Sequence, residues 1–173
     1  SGIANKITGT VKNSFTNITA NVASSSSLTT VTIGGIAASM GDGSLLTSCY
    51  SIVDITSADT IDINRNSIIG GLVGSLTTDS VIQDSYAAGS ISNTRTLNAT
   101  TRYYIATGGI VGSVTNSTVK GNVVLLSSIE AQKRDLTPLT EQTGRISGRS
   151  DGTVAYADNY AISTLGLGRT SGA

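Results

Sequence analysis

The sequence GGLVGS at residues 70–75, followed by IQDSY at residues 82–86, decides the fold because both stretches recur along the chain. Further copies of the first stretch, which we call the anchor, are GGIAAS at 34–39, GGIVGS at 108–113 and GRISGR at 144–149. Their first glycines lie 36, 38 and 36 residues apart, at Gly34, Gly70, Gly108 and Gly144. A regular period of this length indicates structural repeats that bury a continuous core by stacking on one another.

The second stretch occurs five times, as VKNSF, LTSCY, IQDSY, VKGNV and YADNY, starting at residues 11, 46, 82, 119 and 156. The copy at 11–15 opens the chain without an anchor before it. Five of the seven aromatic residues occupy the first or last position of this element, which makes chance an unsatisfactory explanation. A turn with Asp, Asn or Gly follows each anchor, and length changes collect in the segment before the next one, as surface loops do.

The composition favours strands and turns over helices. Thr, Ser, Asn and Gly dominate the polar residues, whereas charged residues make up 13% of the chain and the formal net charge is zero. The scattered Lys and Arg residues form no basic patch, so no nucleic-acid partner is expected. No run of 18 apolar residues occurs, so membrane insertion is not expected. The single cysteine, Cys49, excludes an internal disulfide framework and is expected to be a buried small residue.

Residues 1–173 are therefore predicted to form one all-β domain, a right-handed parallel β-solenoid of four to five coils with about 36 residues per coil. Each coil is expected to contain three short strands and three turns, with the anchor as one strand or bend. A β-sandwich has no reason to keep a 36-residue register, and a propeller would carry Trp-Asp signatures that are absent here.

Stacking of equivalent residues predicts three columns that run along the solenoid. The aliphatic residues of the anchors would form an interior ladder, and the last residues of the second element would form another, aromatic in four coils. The small residues just before them would form a third, in which Asn side chains hydrogen-bond between coils. The predicted columns are Ile36, Leu72, Ile110 and Ile146; Phe15, Tyr50, Tyr86, Val123 and Tyr160; and Ser14, Cys49, Ser85, Asn122 and Asn159. The anchor glycines would allow tight bends or close backbone approach.

The anchor at 70–75, together with DSYAAGSI at 84–91, resembles the GLUG-motif repeat family. The copy at 108–113 matches nearly as well, the copies at 34 and 144 are degenerate, and the resemblance covers roughly residues 5–165. It implies β-helical repeats of bacterial surface proteins, filamentous adhesins and the non-catalytic region of immunoglobulin A-cleaving metalloproteases. The His-Glu-x-x-His signature of those proteases is absent because the chain has no His.

Catalytic chemistry finds little support in the sequence, and no cofactor is expected. The lack of His removes Ser-His-Asp and Cys-His arrangements and most zinc sites. Carboxylate pairs for glycoside hydrolysis could come from Asp79 with Asp84 or from Asp151 with Asp158. However, Asp or Asn recurs in the turn after each anchor, which favours turn formation over a single catalytic pair. The grouped residues Asp54, Asp59 and Asp62 suggest calcium, but a solvated loop explains them better.

Two surface features remain open. Sequons occur at Asn17, Asn98 and Asn116, and they matter only in a secreted eukaryotic protein. The cluster Arg102, Tyr103 and Tyr104 lies outside the columns, and either an interface or packing of Tyr104 under its own loop explains it.

The function predicted from the sequence is that of a non-enzymatic extracellular or cell-surface module, a stalk or adhesin segment with a host protein or glycan as ligand. Neither end shows an evident polar cap, which predicts either part of a larger protein or a subunit that self-associates end to end into an extracellular filament. A carbohydrate-active β-helix enzyme is the disfavoured third alternative.

Overall fold

The computed structural model describes residues 1–23, 30–59, 66–95, 104–133 and 141–168, and these ranges consist of strands and turns. They contain no helix, and thus none of the length and apolarity that a membrane crossing would require.

The chain winds through successive coils, and the three middle ones, which we call the complete coils, have four strands each. The first coil contains β1 (Ala4–Ile7), β2 (Thr10–Lys12) and β3 (Phe15–Ala23). The complete coils contain β4 (Thr30–Gly34), β5 (Ala37–Met40), β6 (Leu45–Thr47) and β7 (Tyr50–Asp59); β8 (Asn66–Gly70), β9 (Val73–Leu76), β10 (Val81–Gln83) and β11 (Tyr86–Arg95); and β12 (Ile105–Gly108), β13 (Val111–Thr115), β14 (Thr118–Lys120) and β15 (Val123–Lys133). The last coil contains β16 (Glu141–Gly144), β17 (Ser147–Asp151), β18 (Ala155–Ala157), β19 (Tyr160–Ala161) and β20 (Gly166–Gly168).

Four parallel sheets run the length of the molecule, because each strand pairs with its equivalents in the neighbouring coils. Sheet A has the order β1-β5-β9-β13-β17, and sheet B has the order β2-β6-β10-β14-β18. Sheet C has the order β3-β7-β11-β15-β19, with β20 also paired to β15, and sheet D has the order β4-β8-β12-β16. The predicted all-β solenoid with about 36 residues per coil is confirmed.

The expectation of three strands per coil is wrong, because the anchor is two strands joined at a corner. In the second complete coil, β8 ends at Gly70 and β9 begins at Val73. A Cβ on Gly70 would lie 1.9 Å from the carbonyl oxygen of Val73, and the other three first glycines meet the same obstacle. The corner is therefore so sharp that only glycine fits at its entrance.

Sheet D lies against sheet A of the following coil, so that both of its faces are covered. Strand β8 contacts β13, and a Cβ on Gly112 would come within 2.8 Å of the Ile68 side chain. Strands β8 and β12 of sheet D are accordingly buried along nearly their whole length, with four of the five residues of β8 and all four residues of β12 buried.

The core consists of aliphatic columns with one member per coil. Side chains of the anchor column and of sheets A, B and C fill it, and those of the complete coils are fully buried: Ile36, Leu72 and Ile110; Leu46, Ile82 and Val119; and Ile55, Ile91 and Ile129. Ile146, the last predicted member of the interior ladder, is only partly buried because it lies in the last coil.

The first coil has an anchor of its own, which the sequence comparison missed. The backbone N–H groups of Gly2 and Ile3 donate to the carbonyl oxygens of Gly35 and Ile36 at 3.0 and 2.9 Å. Ile3 therefore extends the interior column, but it is 47% exposed because it lies in the first coil.

The last coil is polar at positions where the preceding coils are apolar, which contradicts the expectation that neither end is capped. Ser147 pairs with the fully buried Val111, and Ser150 pairs with the fully buried Val114. Tyr156, in the column of the buried Val119, places its hydroxyl 2.6 Å from the Ser147 Oγ and also bonds the Ser150 Oγ. Hydroxyl groups thus cover this end of the aliphatic core.

Candidate binding surface on sheet C

The outer face of sheet C is the broadest regular surface of the molecule, because its strands in the complete coils are ten or eleven residues long. Along β7 the side chains alternate strictly, with Ser51, Val53 and Ile55 buried and Ile52 and Asp54 exposed. Each strand therefore presents every second side chain to solvent.

The aromatic column lies on this outer face and not in the core. Phe15, Tyr50 and Tyr86 are direct partners in the register of β3, β7 and β11. Their rings stack face to face, with centroids 5.2 Å apart between Phe15 and Tyr50 and 4.9 Å apart between Tyr50 and Tyr86. Phe15 is 64% exposed and Tyr160, at the other end of the column, is 65% exposed. The column exists as predicted, but it packs on the solenoid instead of within it.

A second exposed column runs beside the aromatic one, two residues further along each strand. It contains Ile52, Ala88 and Leu125, of which Ile52 is 45% and Leu125 is 43% exposed. Together the two columns form a surface of exposed and half-buried apolar residues that we call the outer patch: Phe15, Tyr50, Ile52, Tyr86, Ala88, Val123, Leu125 and Tyr160. Contiguous exposed apolar surface of this kind marks an interaction site more often than scattered apolar residues do.

The remainder of the outer face is polar. The next positions outward on β7 are Asp54 and Thr56, and the Ser90 hydroxyl of β11 donates to the Asp54 carboxylate at 3.0 Å. The outer patch is thus bordered along the strands by a polar region, which resembles the apolar centre and polar rim of protein interfaces.

A β-bulge separates the apolar and polar halves of the face. Strand β15 contains one extra residue opposite Gly89 of β11, so that Gly89 pairs with Leu126 and Ser90 pairs with Ser128. The extra residue, Ser127, donates its hydroxyl to the Gly89 carbonyl oxygen at 2.9 Å. Because Gly89 has a φ of 107°, the bulge depends on glycine at this position.

A buried hydrogen-bonded column holds the strand starts on which the aromatic residues sit. The Ser85 hydroxyl accepts a bond from the Cys49 N–H at 3.1 Å, and the Asn122 Oδ1 accepts one from the Ser85 N–H at 3.1 Å. The Asn122 Nδ2 donates to the Asn159 Oδ1 at 3.0 Å, as predicted for this column. Each of these residues directly precedes a member of the outer aromatic column, which fixes the spacing of the rings.

The turns use the recurring Asp and Asn residues for backbone geometry. Asp42, Asp79 and Asn116 have φ angles of 58°, 54° and 46°, in the left-handed region that Asp and Asn tolerate better than other side chains. Asp84 and Asp158 have the same conformation in the turn between sheets B and C. Three of the four carboxylates considered for catalysis, those of Asp79, Asp84 and Asp158, therefore have a structural explanation.

The groove beside these turns has a volume of about 510 Å³ and a polar lining of mainly hydroxyl groups. Asp79 is the one carboxylate among its lining residues, and Asn116 in the same groove accepts a bond from the Thr153 N–H at 2.9 Å. The described ranges contain no group of three or more His, Cys, Asp or Glu residues that could hold a metal ion. Asp62 and the side chain of Asp59, considered for calcium, lie outside the described part of the chain.

The remaining residues singled out in the sequence are spread over several surfaces. Asn17 is exposed on the outer face of sheet C, and Asn116 is exposed in its turn. Asn98 lies outside the described residues, as do Arg102 and Tyr103.

Tyr104 is half-buried and engaged within the chain. The guanidinium of Arg149 lies 4.5 Å from its ring centroid and also donates to the Asp151 carboxylate at 2.5 and 3.1 Å. The hydrogen bond to Asp151, with a smaller contribution from Tyr104, raises the pKa of Arg149 above its ordinary value. Tyr104 therefore packs against Arg149 of the last coil, an arrangement other than the packing under its own loop that was considered from the sequence.

Comparison with known proteins identifies the repeat. A family model described as the GLUG motif matches residues 65–92. The chain carries a GLUG motif. The matched segment runs from the start of β8 into β11 and so covers most of one coil. It includes the sharp corner at the anchor and the outward aromatic residue at the start of the sheet C strand. No curated protein and no solved structure matched the chain.

The outward orientation of the aromatic column was missed at the sequence level, although a signal for it exists. In the segment 15–21, the residues in phase with Phe15 are Asn17, Thr19 and Asn21, all polar. A period-two reading of this segment, rather than comparison between repeats, places Phe15 on the solvent side.

Proposed function

We propose that this GLUG-motif solenoid is a non-enzymatic extracellular module of a surface protein, a stalk or adhesin segment that binds a partner through the outer patch. The observation that carries the proposal is the exposed aromatic column, in which large apolar side chains face solvent in register on a rigid sheet. Contiguous exposed apolar surface marks interaction sites, and aromatic anchors are enriched at the centre of interfaces.

The geometry of the rings favours a protein partner over a glycan. Stacking on a sugar requires a free aromatic face, but the faces of Tyr50 are covered on both sides by Phe15 and Tyr86. Tyr50 instead offers its ring edge and hydroxyl group next to the aliphatic Ile52. This combination suits an apolar protein surface with a few hydrogen-bonding groups.

The absence of catalytic features in the described residues supports a binding role. The chain has no His, and its turn carboxylates are used for backbone geometry. The groove beside the turns offers one carboxylate, whereas glycoside hydrolysis requires two.

The test compares the natural chain with an Ile52→Ser/Leu125→Ser variant, which removes apolar surface from the outer patch and leaves the stacked rings in place. Both are labelled and applied to immobilised collagen and fibronectin and to a glycan array. The matched control is Gln83→Ser, a change on sheet B away from the patch. We expect binding to a protein probe that weakens at least about tenfold in the double variant, since each lost side chain contributes roughly 1 kcal/mol.

Three results would contradict the proposal. Binding to neither class of probe would argue against an adhesive role, and binding only to glycans would assign the wrong partner class. Equal weakening by the sheet B control would show that the outer patch is not the contact surface.

A further inference from the structure

The second glycine of each anchor is required by the coil that follows it. A Cβ on Gly35 would lie 2.2 Å from the carbonyl oxygen of Gly71, and a Cβ on Gly71 would lie 2.1 Å from that of Gly109. A Cβ on Gly109 would lie 2.1 Å from the carbonyl oxygen of Arg145. Each coil therefore accepts the next one only because this position has no side chain.

Arg145 breaks this rule in the last coil. It occupies the second position of the anchor and is exposed, and no later coil in the described ranges covers it. If another coil of the same geometry were added, its anchor carbonyl oxygen would lie about 2.1 Å from the Arg145 Cβ, as in the three preceding coils. Because the Arg145 Cβ and this carbonyl oxygen are both attached directly to backbone, neither can move far enough to relieve that collision.

Two interior columns change to serine in the same coil. Ser147 and Ser150 follow valines in sheet A, and the Tyr156 hydroxyl bonds both of them. An added coil would have to bury these hydroxyl groups against its own aliphatic side chains. The Arg145 Cβ and the serine hydroxyl groups thus both oppose the addition of a coil at the same end of the solenoid.

We propose that the last coil is a built-in terminator of the stack, in which the Cβ of Arg145 prevents a second copy of this chain from adding to the C-terminal end. The first coil, at the opposite end of the stack, exposes Ile3 of the interior column. End-to-end growth needs both ends, so the natural chain does not form head-to-tail filaments. This inference does not depend on the outer patch.

The test asks whether removing the proposed block allows the protein to self-associate. The variant Arg145→Gly/Ser147→Val/Ser150→Leu restores the glycine and apolar residues at the positions where the preceding coils have them. The matched control is Arg145→Ala/Ser147→Val/Ser150→Leu, which loses the same charge and the same hydroxyl groups but keeps a Cβ. Sedimentation equilibrium of each folded protein over a hundredfold concentration range measures its association.

We expect the natural chain and the alanine control to sediment as monomers and the glycine variant to form oligomers whose mass grows with concentration. Adding Ile3→Lys to the glycine variant should abolish these oligomers, since the contact joins the last coil of one copy to the first coil of another. Head-to-tail oligomers of the natural chain, or equal behaviour of the glycine and alanine variants, would overturn the proposal.

If the triple variants do not fold, two single variants test the role of the Arg145 Cβ. The single variants Arg145→Gly and Arg145→Ala leave both serines in place and are measured in the same way. Weak association of the glycine variant alone supports the role of the Cβ, whereas identical sedimentation of the two variants contradicts it.

Discussion

At the scale of single residues, the second glycine of an anchor is required by neighbours that lie far away in the sequence. Gly71 has no unusual φ angle, so its conformation does not require glycine. Its side-chain position is filled by the Gly109 carbonyl oxygen and by the Ala87 Cβ of its own coil. The requirement therefore comes from stacking between coils.

The substitution Gly71→Ala should destabilise the protein by at least about 2 kcal/mol, because the added methyl group collides with backbone on a neighbouring coil. The control is Gly9→Ala, where a Cβ would meet nothing within 4 Å, and its effect should stay within about 1 kcal/mol. Urea unfolding followed by circular dichroism measures both. Equal midpoints for the two variants would mean that the coils can shift apart to accept a methyl group.

The buried amide of Asn122 should be as sensitive as the glycine. Asn122→Ala leaves the Ser85 N–H without its acceptor in the core, at a cost of about 1–3 kcal/mol. Asn122→Ser should cost less, because Ser85 makes the equivalent bond to the Cys49 N–H in the preceding coil. Urea midpoints in the order natural, serine, alanine are expected, and an alanine variant as stable as the serine variant would contradict this role of the column.

At the scale of elements, sheet C has one face in the core and one face exposed to solvent. Its inner face contributes Ile55, Ile91 and Ile129 to the core, and its outer face carries the aromatic column. Strict alternation along the strands makes this possible, because the small residues on either side of each ring point inward, such as Cys49 and Ser51 beside Tyr50. Packing of the inner face in the core therefore fixes the register of sheet C, and with it the positions of the rings.

The stacked rings should stabilise one another measurably. A double-mutant cycle with Tyr50→Ala and Tyr86→Ala should give a coupling free energy of about 0.5–1.5 kcal/mol, as for other aromatic pairs. The control cycle pairs Tyr50→Ala with Tyr160→Ala, which are separated by two coils, and should give additive effects within about 0.5 kcal/mol. Additivity in the first cycle would show that the rings share a face without interacting energetically.

At the scale of the whole molecule, stability should vary along the stack. Repeat proteins are held by contacts between neighbouring units, so a coil with partners on both sides is more protected than a terminal one. The second complete coil lies between two others, whereas the last coil is paired on one side and has a largely exposed β18.

Hydrogen exchange followed by mass spectrometry tests this gradient. Amides of β8 to β11 should exchange at least about tenfold more slowly than those of β16 to β19, because opening the last coil breaks one interface and opening a central coil breaks two. Uniform protection along the chain would instead indicate that the solenoid opens only as a single unit.

The sequence by itself determined which residues are equivalent. The spacing of the glycine pairs and of the second element establishes the period, and with it the all-β solenoid, the GLUG motif, the interior ladder of Ile36, Leu72 and Ile110, and the small-residue column. These features follow from sequence because a stacked fold places identical positions on top of one another. Residues that lie one repeat period apart are therefore neighbours in adjacent coils.

Only the tertiary structure decided the direction and the environment of those positions. A repeat period does not say on which side of the backbone Phe15 or Tyr86 lies, and stacking is equally regular in the core and on the surface. The split of the anchor at its corner, the first anchor at Gly2 and the polar last coil were missed for the same reason. Each depends on contacts between residues in different coils or across the corner, and a repeat pattern contains no information about them.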